Sequence, residues 1–455
     1  MSSSEPTRTS ALNERKPRQE GDCVLYWMEH SQRAEANPAL DRAIAWANRL
    51  KLPLIVLFVV DPDYPEGNAR HFTFMLEGLQ ETMAALRERG AHAALRKGRP
   101  ADVAAEVARR AAVVVTDRGY LRHLVEWRRA LAEDAACLVE MVEGDVVVPV
   151  EAASSKLETA ARTFRPRVHR ALESFTEMAP KASLSVKADG RLASREDLAL
   201  DDVPAFVEGL GCDMSVGPVT HAKGGLSAAR KRLATFLKSH LPDYADGRSD
   251  IVERNVSMLS PYLHLGQISP LEIYHAVRNA ASKPENANAF VEEMLVRREL
   301  AVNYVHYCKA YDRWEGLPAW ARQTLKEHQA DERASTYTPR QLEDGKTDDP
   351  YWNAAMKEMR VTGYLHNHLR MYWGKRIIAW SKRPQDGYRV TLALNNKYFL
   401  DGRDANSYAN VGWLYGLHDR GWPERDVYGK VRIMMPSGLK RKFDVDAYVR
   451  WAESL

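Results

Sequence analysis

The sequence predicts an α/β + all-α architecture: an N-terminal doubly wound parallel sheet, a long linker and a C-terminal all-helical domain. Three observations carry that reading. Apolar runs of strand length recur roughly every 25–35 residues through the first 150, with amphipathic stretches between them. Residues 151–225 are irregular and rich in Pro, Gly and Ser, as in MSVGPVTHAKGG. From Leu226 onward, apolar residues return at three- and four-residue spacing almost throughout.

Along the chain, residues 1–20 are a polar leader without the apolar core of a secretory signal, and are expected to be disordered. The α/β domain takes residues 21–150. CVLYWM (23–28) is its first strand, followed by a helix over Pro38–Leu50; LPLIVLFVV (52–60) precedes a helix over Phe72–Arg89. AHAALR (91–96), a helix from Pro100 to Arg110, AAVVVTD (111–117), a helix over Leu121–Glu133 and CLVEMVEGDVVV (137–148) complete the alternation. Continuous Val- and Leu-rich runs are what a strand covered on both faces requires. The linker, 151–225, is expected to hold one helix over Leu157–Phe175. The all-α domain takes 226–455, with segments such as SAARKRLATFLKSHL and ANAFVEEMLVRRELAVNYVHY.

Composition narrows the function. At 455 residues, 45% hydrophobic and 28% charged, the chain is an ordinary multi-domain globular protein. No run approaches the roughly 18 apolar residues of a membrane span. Cys23, Cys137, Cys212 and Cys308 lie far apart without a CxxC, against a disulfide framework or zinc–thiolate site and in favour of a reducing cytoplasm. The net charge of +4 is uneven: residues 1–210 carry 29 Lys+Arg against 32 Asp+Glu, and residues 211–455 carry 36 against 29. Any polyanion is expected at the basic, Trp-rich C-terminal part, although helix packing uses Arg and Trp as well. No G-x-G-x-x-G follows the first strand, and there is no P-loop, H-E-x-x-H, G-x-S-x-G or EF-hand loop. His366 and His368, two apart, point to different sides of a helix, so no metal site is expected.

Four C-terminal strings stand out. NVSMLSPYLHLGQISP (255–270) offers hydroxyls and backbone N–H groups around Ser257 and Ser260, suited to an anion or to a plain capped turn. EEMLVRRELAVNYVHY (292–307) sets Glu293 and Arg297 four apart on one helix face, the spacing of a salt bridge. DDPYWNAAMKEMRVTGYLHNHLRMYWGKRIIAW (348–380) sets Trp373 and Trp380 on one face with Trp352 on a neighbouring helix, a stripe that core packing alone explains. LNNKYFLDGRDANSYANVGWLYG (394–416) is dense in Asn, Asp and Arg, costly to bury unless the polar groups meet a ligand.

Together with ARTFRPRVHR (161–170) and KVRIMMPSGLKRKFD (430–444), these strings resemble the photolyase/cryptochrome flavoproteins, and within them the class II cyclobutane pyrimidine dimer photolyases. The motifs are long and specific, and the resemblance spans essentially the whole chain after the leader. It implies an FAD folded into a U within the helical domain and active as reduced FADH⁻. By the match, Tyr244, Val256, Ser257, Met258, Leu259 and Ser260 contact the cofactor around its phosphates. Arg297, Asn367 and Arg370 belong to the flavin pocket, Arg370 pairs with Asp401, and Asp401, Gly402 and Arg403 line the isoalloxazine edge. Asn395 is the candidate partner of the flavin N5 hydrogen.

The resemblance also implies UV-damaged DNA as partner, with the pyrimidine dimer flipped out of the duplex. Glu293 matches the carboxyl group that contacts the dimer, Met371 and Trp413 match apolar walls of the lesion pocket, and Lys430, Arg432, Lys440, Arg441 and Lys442 are expected on flanking phosphates. Excited FADH⁻ donates one electron, the cyclobutane ring splits and the electron returns, a carbon–carbon lyase reaction. Trp352, Trp373 and Trp380 match the relay that photoreduces oxidised flavin, Trp373 innermost and Trp380 outermost. A second, light-harvesting chromophore, a deazaflavin or a folate, is held by many members, and DRGYLR (117–122) lies where that pocket is expected. The protein is expected to be a cytoplasmic monomer, nuclear in a eukaryote. A (6-4) photolyase is disfavoured because Asn367 and Met371 stand where that subfamily has histidines. The alternative reading is a cryptochrome-like blue-light signalling flavoprotein, disfavoured because no long extension follows KFDVDAYVRWAESL.

Overall fold

A computed structural model describes residues 7–178 and 181–455. Its front half is a six-stranded sheet in the order β1-β6-β5-β2-β3-β4. The strands are β1 (Thr9–Ala11), β2 (Cys23–Trp27), β3 (Leu54–Val60), β4 (His92–Lys97), β5 (Ala111–Asp117) and β6 (Leu138–Val142). All neighbours pair in parallel except β1, which runs antiparallel to β6. The helices α1 (Pro38–Leu50), α2 (Ala69–Glu88), α3 (Pro100–Ala108) and α4 (Arg122–Asp134) lie between successive strands from β2 onward.

The apolar runs sort by parity, as a pleated strand demands. Val24 and Tyr26 of β2 and Val56 and Phe58 of β3 join Leu40, Ile44, Leu76 and Leu79 of α1 and α2 in one core. Cys23, Leu25, Ile55 and Leu57 face the opposite way, onto Ala104 and Val107 of α3 and Leu131 of α4. Both faces are covered, which is the doubly wound arrangement.

Two expectations change. The leader is ordered from Thr7 on: β1 pairs with β6, and Arg8 donates from Nη2 to the carbonyls of Val147 (2.6 Å) and Phe175 (3.0 Å). The exposed edge of β6 offers unpaired backbone groups that a polar segment satisfies as well as an apolar one. Residues 1–6 of the expected leader lie outside the described residues. The segment 151–225 is also more than a connection. Its helix Ala161–Leu172 buries Phe164 and Val168 in the helical half's core, whereas Leu200, Val203 and Val207 turn back onto the α1/α2 face of the sheet. The last strand stops at Val142, because Asp145 leaves the sheet to accept from His30, Ser31 and Arg33.

The helical half begins at Leu226–Ser239. Its central rod starts as Pro284–Val291, passes through a π-helical turn over Glu292–Arg297 and continues as Arg298–Tyr307. Helix Ala405–Leu414 packs on it, Pro384–Tyr398 and Asn367–Trp380 pack on that helix and on each other, Pro350–Thr362 packs on Asn367–Trp380, and Val445–Glu453 lies along Pro350–Thr362. The halves are joined by polar contacts: Arg70 donates to the carbonyls of Tyr398 (2.8 Å) and Arg360, Arg122 pairs with Asp312 (2.7 Å), and buried Glu299 accepts from the N–H groups of Val147 and Val148. Among the described residues, no helix is long and apolar enough to cross a membrane.

Candidate active site

A cavity of about 220 Å³ opens between the turn 257–260, the central rod and helices Asn367–Trp380 and Ala405–Leu414. Of the residues singled out in the sequence, it gathers Tyr244, Ser257, Leu259, Ser260, Glu293, Arg370 and Asp401. Arg370 and Asp401, 31 residues apart, form a two-oxygen ion pair with both contacts at 3.0 Å. The Arg370 guanidinium also lies 3.8 Å over the Phe399 ring and donates through Nε to the Leu365 carbonyl. A cation so fixed is a rigid wall rather than a mobile surface charge. Glu293 takes Arg248 as its ion-pair partner, and Tyr244 sits beside that pair with burial pushing its phenol up.

The π-helical turn explains which arginine faces the cavity. With i→i+5 hydrogen bonds, residues four apart no longer share a face. Arg297, expected in the pocket beside Glu293, is exposed and instead pairs with Glu292 five residues back, at 3.1 Å. Arg298 takes the wall position: its Nη2 donates to the Asp145 carbonyl (2.8 Å), and its Nη1 is buried without a partner. Uninterrupted α-helical spacing hid this residue.

Other expected contacts also lie elsewhere. Val256 and Met258 shape the turn, Met258 at a φ of 52°, but neither lines the cavity. Asn367 is exposed at the start of its helix. Asn395 is buried and does not line the cavity; its Nδ2 donates to Asn396 Oδ1 at 3.0 Å, and Asn396 in turn donates to Glu66 ahead of α2. Asn406 and Asn410, one helical turn apart, are the amides on the cavity wall. Gly402 is packed so tightly that a Cβ would stand 2.8 Å from the Asn396 carbonyl, and Arg403, at a φ of 65°, turns to the opposite side of the loop.

His264 and Asp404 are wall residues the sequence did not single out. Asp404 accepts from His264 Nδ1 at 3.1 Å and caps the helix Ala405–Leu414 through the Asn406 N–H. Burial alone would raise its carboxyl, but the His264 hydrogen bond and the nearby Arg298 charge outweigh burial and hold it well below the usual carboxylate range.

Behind Arg370, Phe399 contacts Trp373 edge-on at 6.5 Å between ring centroids. Trp373 stacks on Trp352 at 6.4 Å, and Trp352 meets Trp380 edge-on at 5.3 Å. All three tryptophans are buried. On another side, half-buried Trp413 carries Lys375 Nζ at 5.9 Å and the Arg432 guanidinium at 5.8 Å. Met371 is half-buried one turn before Lys375. Lys430, Arg432, Lys440, Arg441 and Lys442 are exposed, and Lys442 reaches His368 Nε2 at 2.9 Å.

A second, smaller cavity of about 80 Å³ lies at the carboxyl ends of β2 and β3, where it meets His264 and Arg403. Glu29 Oε1, Gln32 Oε1 and Arg403 Nε around it are buried without partners. The expected DRGYLR position borders an open cavity of about 1140 Å³ lined by Arg118, Gly119, Tyr120 and Arg122, whereas its charged side chains are engaged: Asp117 accepts from the N–H groups of Glu29, His30 and Ser31, Arg118 pairs with Glu143 and Glu151, and Arg122 with Asp312.

Comparison with known proteins agrees with this fold. The family model for DNA photolyase matches residues 24–185. The chain is 43% identical to a deoxyribodipyrimidine photo-lyase of Methanothermobacter thermautotrophicus, over 97% of each chain. It is 36% identical to a deoxyribodipyrimidine photo-lyase of Potorous tridactylus, over 95% of this chain and 81% of that one. Among solved structures, the archaeal photolyase from Sulfolobus tokodaii, described with two FAD molecules, superposes with a TM-score of 0.71 at 17% identity, over 94% of this chain and 88% of that one. With the sheet, the helical half and near-complete coverage of its relatives in agreement, the chain belongs to the DNA photolyase family.

Proposed function

We propose that this protein is a class II photolyase that repairs cyclobutane pyrimidine dimers in DNA by light-driven electron transfer from FADH⁻. The observation that carries the reading is the cavity where the Arg370–Asp401 pair, the hydroxyls of Ser257 and Ser260 and the unpartnered Arg298 Nη1 converge. This donor set fits a flavin dinucleotide. Arg298 and the serine turn suit a pyrophosphate, and Arg370 suits the electron-rich pyrimidine edge of a reduced flavin. When bound, the flavin supplies one electron on absorbing blue light, the cyclobutane ring opens and the electron returns.

The protein's own residues bind, orient and exclude water. Arg370, held by Asp401 and stacked on Phe399, places a fixed positive charge that needs no reorganisation during the reaction. Asn406 and Asn410 present amides, which do not titrate, and they join Asn395 as candidates for the N5 position. Glu293, steadied by Arg248, takes the role of the carboxyl group meeting the dimer carbonyls. Trp413 and Met371 form the apolar wall against the flipped bases. The exposed cations from Lys430 to Lys442 hold the flanking phosphates. Trp373, Trp352 and Trp380 carry an electron inward, the ring contacts supporting the order Trp373, Trp352, Trp380.

The second cavity is the seat we propose for a light-harvesting chromophore, rather than the open cavity beside DRGYLR. Its three unpartnered polar atoms and its place at the carboxyl ends of parallel strands support a ligand there. Both cavities, about 220 Å³ for the flavin site and 80 Å³ here, are below the roughly 300 Å³ of small-molecule sites, so each ring system enters only with side-chain movement. We place the protein as a monomer in the cytoplasm or nucleus.

The test is conversion of a thymine-dimer oligonucleotide by flavin-reduced protein in blue light and in the dark. Conversion in light alone is the expected result, and equal conversion in the dark sinks the proposal. An absorption spectrum of the same sample reports any band beyond that of flavin.

A further inference from the structure

The turn 256–260 has little regular structure of its own to hold it. Arg254, on its approach, and Met258, at its apex, adopt φ values of 51° and 52°, a left-handed backbone that side chains disfavour. Something outside the turn must stabilise that shape. One part is Arg232, whose Nε donates to the Ser257 carbonyl at 3.2 Å. The other part is Arg254 itself. Its guanidinium leaves the loop, donates to Glu358 on the helix Pro350–Thr362, and lies 3.7 Å over the Trp451 ring on the helix Val445–Glu453.

Glu358 is wholly buried and divides its two oxygens: Oε1 accepts from Arg254, and Oε2 accepts from the Tyr448 hydroxyl at 2.6 Å. Tyr448 and Trp451, three residues apart, lie on one face of their helix. A single buried carboxylate therefore ties the loop to the helix Val445–Glu453, and removing either donor leaves a buried oxygen unpaired. Helix packing alone accounts for the Tyr448–Glu358 contact. It does not account for Arg254, which belongs to neither helix and holds an unfavourable backbone while reaching both.

We infer that Arg254, Glu358, Tyr448 and Trp451 are positioning residues for the flavin dinucleotide: the helix Val445–Glu453 clamps the turn 256–260 in its binding shape and sets how slowly the cofactor leaves. The inference rests on the cofactor role proposed for that turn. None of the four residues lines the cavity, so they act through the backbone that carries Ser257.

The experiment loads the full chain with FAD, dilutes it, and follows the rise of free-flavin fluorescence. The variants are Trp451→Leu, Tyr448→Phe and, as control, Val445→Ala, a buried position of the same helix outside the polar cluster. Trp451→Leu and Tyr448→Phe should release flavin about tenfold faster, as loss of a partly buried cation–π contact or of one buried hydrogen bond implies. The melting temperature of their flavin-free forms should match that of the control. Release at the wild-type rate in Trp451→Leu overturns the clamp, as does equal acceleration by Val445→Ala. Trp451 is only partly buried, so its variant carries the test even if Tyr448→Phe does not fold. A wild-type chain that takes up no FAD overturns both the clamp and the function proposed above, whereas retention by wild type and variants alike overturns the clamp alone.

Discussion

Trp352 and Trp373 lie with their ring planes 9° apart, and the Trp352 indole N–H donates to the Trp373 backbone carbonyl at 2.9 Å. The hydrogen bond fixes the Trp352 ring, whereas the Trp373 side chain itself gives none: its Nε1 is buried without a partner. Replacing Trp373 by Phe therefore breaks no polar contact. The cost of Trp373→Phe should stay near that of a volume change, about 1–3 kcal/mol. Photoreduction of oxidised flavin with an external reductant should be largely lost, because phenylalanine is much harder to oxidise. Repair by chemically pre-reduced protein should survive. Normal photoreduction in this variant returns Trp373 to a purely structural role.

Both Asp401 carboxylate oxygens serve Arg370, so neutralising the side chain removes that pair and leaves the Ser407 hydroxyl on the Asp401 carbonyl in place. Asp401→Asn should weaken FAD binding by about 1–3 kcal/mol, the value of a charge-assisted hydrogen bond, with little change in secondary structure. A flavin titration followed by fluorescence quenching measures it. Unchanged affinity would detach the pair from the cofactor.

Glu293 is half-exposed at the mouth of the cavity with Arg248 as partner. Glu293→Ala should cut the repair yield of bound dimer about tenfold while changing DNA affinity less, because the carboxyl group acts mainly on charge that develops during the reaction. Single-turnover photolysis of saturated complex, set beside a binding isotherm, separates the two. Lost affinity with an unchanged yield makes Glu293 a binding residue only.

DNA affinity should fall with salt at a log–log slope of about −0.9 per phosphate contacted. Lys440 and Arg441 are exposed, and replacing either by Ala should reduce that slope by about one contact while preserving the preference for damaged over intact duplex. A slope that does not change in either variant removes this segment from the DNA face.

His418 gives an acid-side prediction. Its Nδ1 donates to the Thr159 carbonyl, its Nε2 is buried without an acceptor, and burial lowers the imidazole to about 4. The unfolded chain accepts a proton near pH 6.5 that the folded protein refuses. The stability this provides is full above about pH 6.5 and is lost as pH falls through about 4. Melting temperature should drop across that window, and His418→Gln should flatten the drop. An equally steep profile in the variant assigns the acid sensitivity to other groups.

The strands were legible in the sequence because a strand covered on both faces is apolar along almost its whole length: AAVVVTD is β5 from Ala111 to Asp117, and LIVLFVV is β3. Legible too, through motif resemblance, was the partnership of Arg370 with Asp401. What the tertiary structure decided is which polar side chain faces which space. The extra residue in the π-turn over Glu292–Arg297 moves Arg297 out and Arg298 in, and no local spacing announces it. Within DGR, a left-handed Arg403 sends neighbouring side chains to opposite cavities. The ordering of Thr9–Ala11 depends on β6, and that of Arg254 on Glu358, partners more than a hundred residues away. Periodicity records the apolar face of an element, because burial repeats along it. The aim of a single polar group depends on helix phase and distant partners, and these exist only once the chain has folded.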